Sequence, residues 1–144
     1  MNTELIISII AVVISVFSFI TTVITNILGN RREKRQATLE AYNRLQHEVL
    51  DVINTYSKEQ IQEIAKDPHQ NDYKKISALL ARCQHFAVGI KQKIYDKKTL
   101  KLLGNCYFDK IYDKLLPLII KKRRLAHNDC LYKELEEVAD YVQR

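Results

Sequence analysis

The sequence predicts an all-α protein: one N-terminal transmembrane helix (residues 1–30) followed by a basic cytoplasmic helical bundle of about four helices (residues 31–144). Three observations predict it. Leu5–Asn30 holds no charged residue and is mostly Ile, Val, Leu and Phe. After it, apolar residues recur at intervals of three and four, the period of a helix face. Only three Gly and two Pro punctuate the chain, and no alternating strand run or low-complexity linker is present.

The apolar stretch comes first. As a helix, Leu5–Leu28 reaches ~36 Å at ~1.5 Å per residue, enough to cross ~30 Å of hydrocarbon with some tilt. A lone segment in lipid must satisfy its backbone internally, which favours one uninterrupted helix. Met1–Glu4 carries no Lys or Arg, whereas Arg31, Arg32, Lys34 and Arg35 follow directly. Positive charge stays on the cytoplasmic side, so the expected topology is single-pass, N-terminus outside. The basic cluster is the expected lipid head-group anchor. A cleaved leader would want a basic start, a shorter apolar core and a small-residue cleavage site; the first is absent and the core is too long.

Within this helix Glu4, Ser8, Ala11, Ser15, Ser18, Thr22, Thr25 and Gly29 follow a 4-3-4 heptad seam of small or polar residues. Such residues line helix–helix contacts in membranes. Ser8, Ala11, Ser15, Ser18, Thr22 and Thr25 are therefore the expected self-association face, one that could line a wet pore. Each interhelical hydroxyl contact is worth only ~0.6 kcal/mol, weak enough for an attached domain to rearrange. The competing reading is that the hydroxyls bond back to their own helix and face lipid.

Residues 31–144 hold all 23 Lys and Arg and 16 of the 17 acids, about +7. That balance suits lipid head groups, nucleic acid or a phosphorylated small molecule. The first segment, Arg31 to about Lys66, reads as one helix with Ala37, Ala41, Leu45, Val49, Val52, Ile53 and Tyr56 on its apolar stripe, stopped by Asp67-Pro68. Asn71-Asp72 reads as the cap of a second helix to about Lys93, with Ile76, Leu79, Leu80, Cys83, Phe86, Ala87, Ile90 and Ile94 on a broad apolar face. A third runs from an Asp96 cap to about Arg124, weakened at Gly104 and kinked or split at Pro117. Asn128-Asp129 caps the last, with Leu131, Leu135, Val138, Ala139 and Val142 inward. Cys83, Cys106 and Cys130 suit reduced, mostly packed thiols.

The chemistry is sparse. His47, His69, His85 and His127 lack metal-ligand spacing, no Gly-rich phosphate loop exists, and no nucleophile has an identifiable base. Arg123 and Arg124 stand too close to His127 for a ribonuclease that places four to six residues between Arg and His. The expectation is a non-enzyme with no catalytic residue, metal or cofactor. The strongest basic element is Lys121-Lys122-Arg123-Arg124. Arg forks onto phosphate, Lys supplies point charge, and His127 or Tyr132 could stack on a base. With Arg82 from the second segment, these residues form the expected site for an anionic ligand. A solvated cationic helix end is the competing reading.

Phe86-Ala87-Val88-Gly89-Ile90-Lys91, Ile94-Tyr95-Asp96, Tyr112 through Leu116-Pro117 and Arg123, and Leu131-Tyr132-Lys133-Glu134-Leu135-Glu136 resemble a family of bacterial membrane-anchored proteins without assigned chemistry. Arg35-Gln36-Ala37-Thr38-Leu39 resembles the juxtamembrane start of its domain. In size and layout the chain is also similar to the single-span effector of type III CRISPR systems gated by cyclic tetra-adenylate. That resemblance implies an antiviral homo-oligomer, a tetramer, whose basic domain binds a cyclic oligonucleotide and disturbs the membrane, with no double-stranded nucleic acid as partner. The alternative is a membrane anchor or adaptor that holds a protein partner in the cytoplasm.

Overall fold

The computed structural model describes residues 3–104 and 107–144, and the side chains of Glu4, Leu5 and Gly104 are not described. The expected outside start at Met1-Asn2 and the packed thiol of Cys106 lie outside the described residues, as does the side chain of the first seam position Glu4. All regular structure is helical, with no strand among the described residues. The chain divides into two units, Met1–Lys34 and Arg35–Arg144, a few residues beyond the boundary expected at 30/31.

Helix α1 (Thr3–Leu45) supplies the whole of the first unit's regular structure. It holds a stretch long and apolar enough to span a membrane, and none of that stretch is buried by the protein.

The second unit begins with the end of α1 and a wide π-helical turn at Gln46–Leu50, which leads into α2 (Asp51–Asn54). Then follow α3 (Lys58–Ile64), α4 (Asn71–Lys91), α5 (Lys97–Gly104), α6 (Tyr107–Ala126) and α7 (Lys133–Gln143). α4 packs on α7, and α6 packs on both α3 and α7. Between them sits one core in which Leu50, Ile53, Ile61, Ile76, Leu80, Leu118 and Ile119 are wholly buried.

Several expected boundaries move. The segment from Arg31 is not one helix to Lys66. Thr55–Ser57 breaks it, and Ser57 opens α3 with a capping box: its Oγ accepts from the Gln60 amide (3.1 Å) while Gln60 Oε1 accepts from its own (2.7 Å). α3 ends before Asp67-Pro68, where Asp67 instead accepts from the His69 amide. Asn71-Asp72 is not a cap; α4 already starts at Asn71, and Asp72 sits in its first turn, favourable to the helix dipole. The third segment forms two helices, α5 ending at Gly104 and α6 beginning at Tyr107. α6 runs on through Pro117, because burial of Leu115, Leu118 and Ile119 around it outweighs the lost backbone bond. Asn128 closes the α6–α7 turn by accepting from the Cys130 amide rather than capping α7, which starts five residues later.

Asp96 does cap α5: its Oδ2 accepts from the Thr99 amide (3.0 Å) and hydroxyl (2.5 Å), bonds that lower its carboxyl pKa. Cys83 is buried, and burial pushes its thiol up to about 12. Cys130, expected to be packed, is exposed in the α6–α7 turn.

Candidate functional site

Four consecutive cations cannot share a face of α6, because successive helical residues are rotated by ~100°. The structure sends them three ways. Lys121 and Arg124, one turn apart, line a cleft with Lys58, Gln62, Ala65 and Lys66 of the α3 segment. Lys122 turns towards α4, its Nζ 5.4 Å from the centre of the Tyr73 ring, and desolvation there lowers its pKa. Arg123 is tied down: Nε donates to the Leu131 carbonyl (2.8 Å) and a terminal nitrogen to Glu136 (2.7 Å).

The cleft between α3 and α6 has a volume of about 440 Å³. Ala65, Leu116, Pro117 and Ile120 give it an apolar wall, and Lys58, Lys66, Lys121 and Arg124 give it charge. Lys66 pairs with Glu63 of the preceding turn. Lys58, Lys121 and Arg124 have no ion pair among the described residues. Three cations outside any described ion pair, over an apolar wall, favour an anion with an apolar or aromatic portion.

The other expected ligand residues stand apart from this cleft. Arg82 reaches back from α4 to Glu48 (2.9 Å) beside Arg44 and His85, in a separate groove of about 240 Å³. His127 takes a left-handed conformation in the turn after α6 and is exposed. Tyr132, also left-handed, packs against the core; burial raises its hydroxyl pKa, with Tyr73 contributing. The sequence reading missed Lys58, Gln62 and Lys66, because it merged α3 into the first helix. The pair Ser57 and Gln60, spaced for a capping box, was the available signal.

Several of the residues that carried the family resemblance turn out to be staples. Gly89 lets the Tyr95 ring lie against α4: a Cβ there would meet ring carbons at 2.5 and 2.6 Å. The ring in turn stacks on Phe86 (centroids 5.2 Å apart). Lys93, at φ 61°, reverses the chain so that the Ile94 and Tyr95 amides both donate to the Gly89 carbonyl. This reversal leaves Ile94 exposed instead of on the core face of α4. Gln84 links α4 to α7 by donating to Glu134 (2.7 Å) and accepting from the Leu135 amide (3.2 Å). Lys91 adds Glu134 and Glu137; the Glu134 carboxyl pKa is lowered by a bond from its own backbone amide first and then by Gln84 and Lys91, and the Glu134 bond raises the pKa of Lys91.

In the first unit, Ser8, Ala11, Ser15, Ser18, Thr22 and Thr25 are all exposed. Thr22 Oγ1 donates to the Ser18 carbonyl (2.8 Å) and Thr25 Oγ1 to that of Thr21 (2.9 Å). These hydroxyls spend their protons on their own helix but keep acceptor lone pairs for a neighbour. Of the basic cluster, Arg31, Arg32 and Arg35 are exposed and Lys34 is half-buried; Arg35 also contributes to lowering the Asp96 pKa.

A family model, DUF4760, a domain of unknown function, matches residues 5–142. No curated protein and no solved structure matches the chain.

Proposed function

The chain belongs to the DUF4760 family of domains of unknown function, and we propose that it is a non-enzymatic effector anchored in the inner membrane by one span, the antiviral role being what its likeness in layout to the single-span type III CRISPR effector implies. Its N-terminus faces out, and its helical domain binds an anionic nucleotide ligand in the cytoplasm. The observation that carries this reading is the α3–α6 cleft, where Lys58, Lys121 and Arg124 meet over Leu116, Pro117 and Ile120. Arg124 forks onto a phosphate, the lysines add point charge, and the apolar wall takes the face of a base.

A space of about 440 Å³ suits one nucleotide-sized unit. A cyclic oligonucleotide such as cyclic tetra-adenylate fills such clefts by reaching more than one copy, which links ligand binding to a homo-oligomer, a tetramer in this proposal. α1 supplies both the apolar stretch and, through Tyr42 and Leu45, part of the bundle core, so a rearranged domain acts on the seam through the chain itself. The membrane is then perturbed or a pore opened by weak seam contacts changing partners.

Calorimetry on the full chain in lipid nanodiscs, titrated with cyclic tetra-adenylate at moderate salt, tests the binding step. Saturable binding is expected, weakened roughly tenfold or more in K121A and R124A, since a charge-assisted hydrogen bond contributes ~1.5–3 kcal/mol. No binding by the unsubstituted chain overturns the reading. Ligand-dependent leakage from proteoliposomes tests the second step: S15L and T22L are expected to change it, and unchanged leakage in both removes the seam from the mechanism.

A further inference from the structure

We propose that the outer face of α5 is a lipid-contacting surface selective for anionic head groups, which lays one side of the helical domain on the bilayer. The inference rests on the membrane span of the proposed function and on nothing else in it.

α5 is amphipathic in an unusual sense: it has an apolar residue on each side. Leu100 is wholly buried, whereas Leu102 is 86% exposed and Leu103 41%. Leu102 lies one helical turn after Lys98, so the two share a face, and Lys101 borders it. Leu103 and Leu39 of α1 line a common groove of about 410 Å³, and Ile94 is exposed in the turn leading to α5. An exposed apolar patch of this kind calls for a cover.

The charge around it says what kind. Lys97–Gly104 contains Lys97, Lys98 and Lys101 and no acid. The adjacent Asp96 is occupied by Thr99, and Glu40 is the one carboxylate lining the groove among the described residues. Lys97 and Lys101 are steadied over the Tyr141 ring, at 3.8 and 5.4 Å from its centre. Leucines flanked by lysines form the pattern of a helix that lies in a membrane interface, where anionic lipid complements the cations.

Reach completes the argument. The Asp96 amide donates to the buried Thr38 hydroxyl (2.7 Å), which fixes the start of α5 to the opening residues of the second unit. That unit begins at Arg35, seven residues after Leu28 closes the apolar run. As part of α1 those seven residues rise only ~10 Å. With a tether that short, even a weak lipid contact is populated, because it forms within one molecule.

Hydrogen exchange on the full chain in nanodiscs tests it, comparing phosphatidylglycerol-containing discs with phosphatidylcholine discs. The α5 amides are expected to exchange more slowly in the anionic discs, by roughly fivefold per engaged lysine. The α4 and α6 amides should not change. In the K98E/L102S double variant, altered only at exposed positions, the lipid dependence should vanish. Equal α5 exchange in both discs overturns the lipid face and leaves the span standing. Protection that follows protein concentration rather than lipid charge also overturns it, by assigning the patch to a second copy. A chain that enters neither disc overturns both the span and this face.

Discussion

The same side chains meet opposite fates in the two units of this chain. In the first, Ile7, Val12, Val13, Ile14, Phe17 and Phe19 are all more than half exposed. In the second, Ile53, Ile61, Ile76 and Ile119 are wholly buried. Both sets sit on helices, so backbone hydrogen bonding does not separate them. What differs is the source of cover. The second unit folds its own helices over its aliphatic side chains. The first leaves them uncovered among the described residues, and leaving each such side chain in water forgoes about 1.5–3 kcal/mol. A stretch of that length is long and apolar enough for hydrocarbon to supply the cover.

The contrast breaks first under truncation. I119A is expected to cost about 2–5 kcal/mol of domain stability, read from urea unfolding in detergent, because it empties space in a closed core. I14A should leave the same transition where it was. A comparable loss from I14A would mean that the domain covers the apolar stretch after all.

The covered and the bare recur on a smaller scale within one turn of α6. Arg123 is held by Glu136 and the Leu131 carbonyl, while neighbouring Lys121 and Arg124 face the cleft. R123A is expected to destabilise by about 1.5–3 kcal/mol, since a part-buried Glu136 and a carbonyl lose a charged donor. K121A should be silent in stability and visible in ligand affinity. If the two variants behave alike in both measurements, the division of the run is wrong.

Gly89→Ala sharpens the picture inside the core. The added methyl must push the Tyr95 ring off Phe86, an overpacking cost of about 1–3 kcal/mol. Thermal unfolding measures it, and an unchanged midpoint would show that the ring moves freely.

The smallest effect belongs to Asp96. D96A should cost about 1 kcal/mol at neutral pH by uncapping α5. The folded carboxyl pKa is lowered, so the capping stability is complete above the ordinary aspartate value and fades as pH falls through the folded one. Unfolding of D96A and the unsubstituted chain should therefore converge in acid. A gap that persists there would assign the loss to packing rather than charge.

Much of this architecture was legible in the residues. The uncharged run shows because nothing else excludes charge for so long. α4 shows because Ile76, Leu80, Cys83, Phe86, Ala87 and Ile90 keep the helical period and are all buried. The break at Thr55–Ser57 was hidden, since Ile61 and Ile64 continue the apolar rhythm beyond it and only the cap pair marks the interruption. The cleft was half legible. Lys121 and Arg124 stood out as cations, and their spacing puts them on one side of a helix. Nothing local says that Arg123 would find Glu136 or that Lys58 would arrive from α3. Those depend on contacts between residues far apart in the chain.

The wide turn at Gln46–Leu50 acts as a phase adjuster. Fitting one additional residue per turn rotates everything downstream by about 100° relative to a regular helix. Leu50, which a regular helix would carry off the stripe of Leu45, Val49 and Ile53, is thereby wholly buried beside them. Shortening this turn by a single residue would keep the helix and swing its inner edge outward. Loop lengths elsewhere in the chain are open to drift; the length of this segment is not.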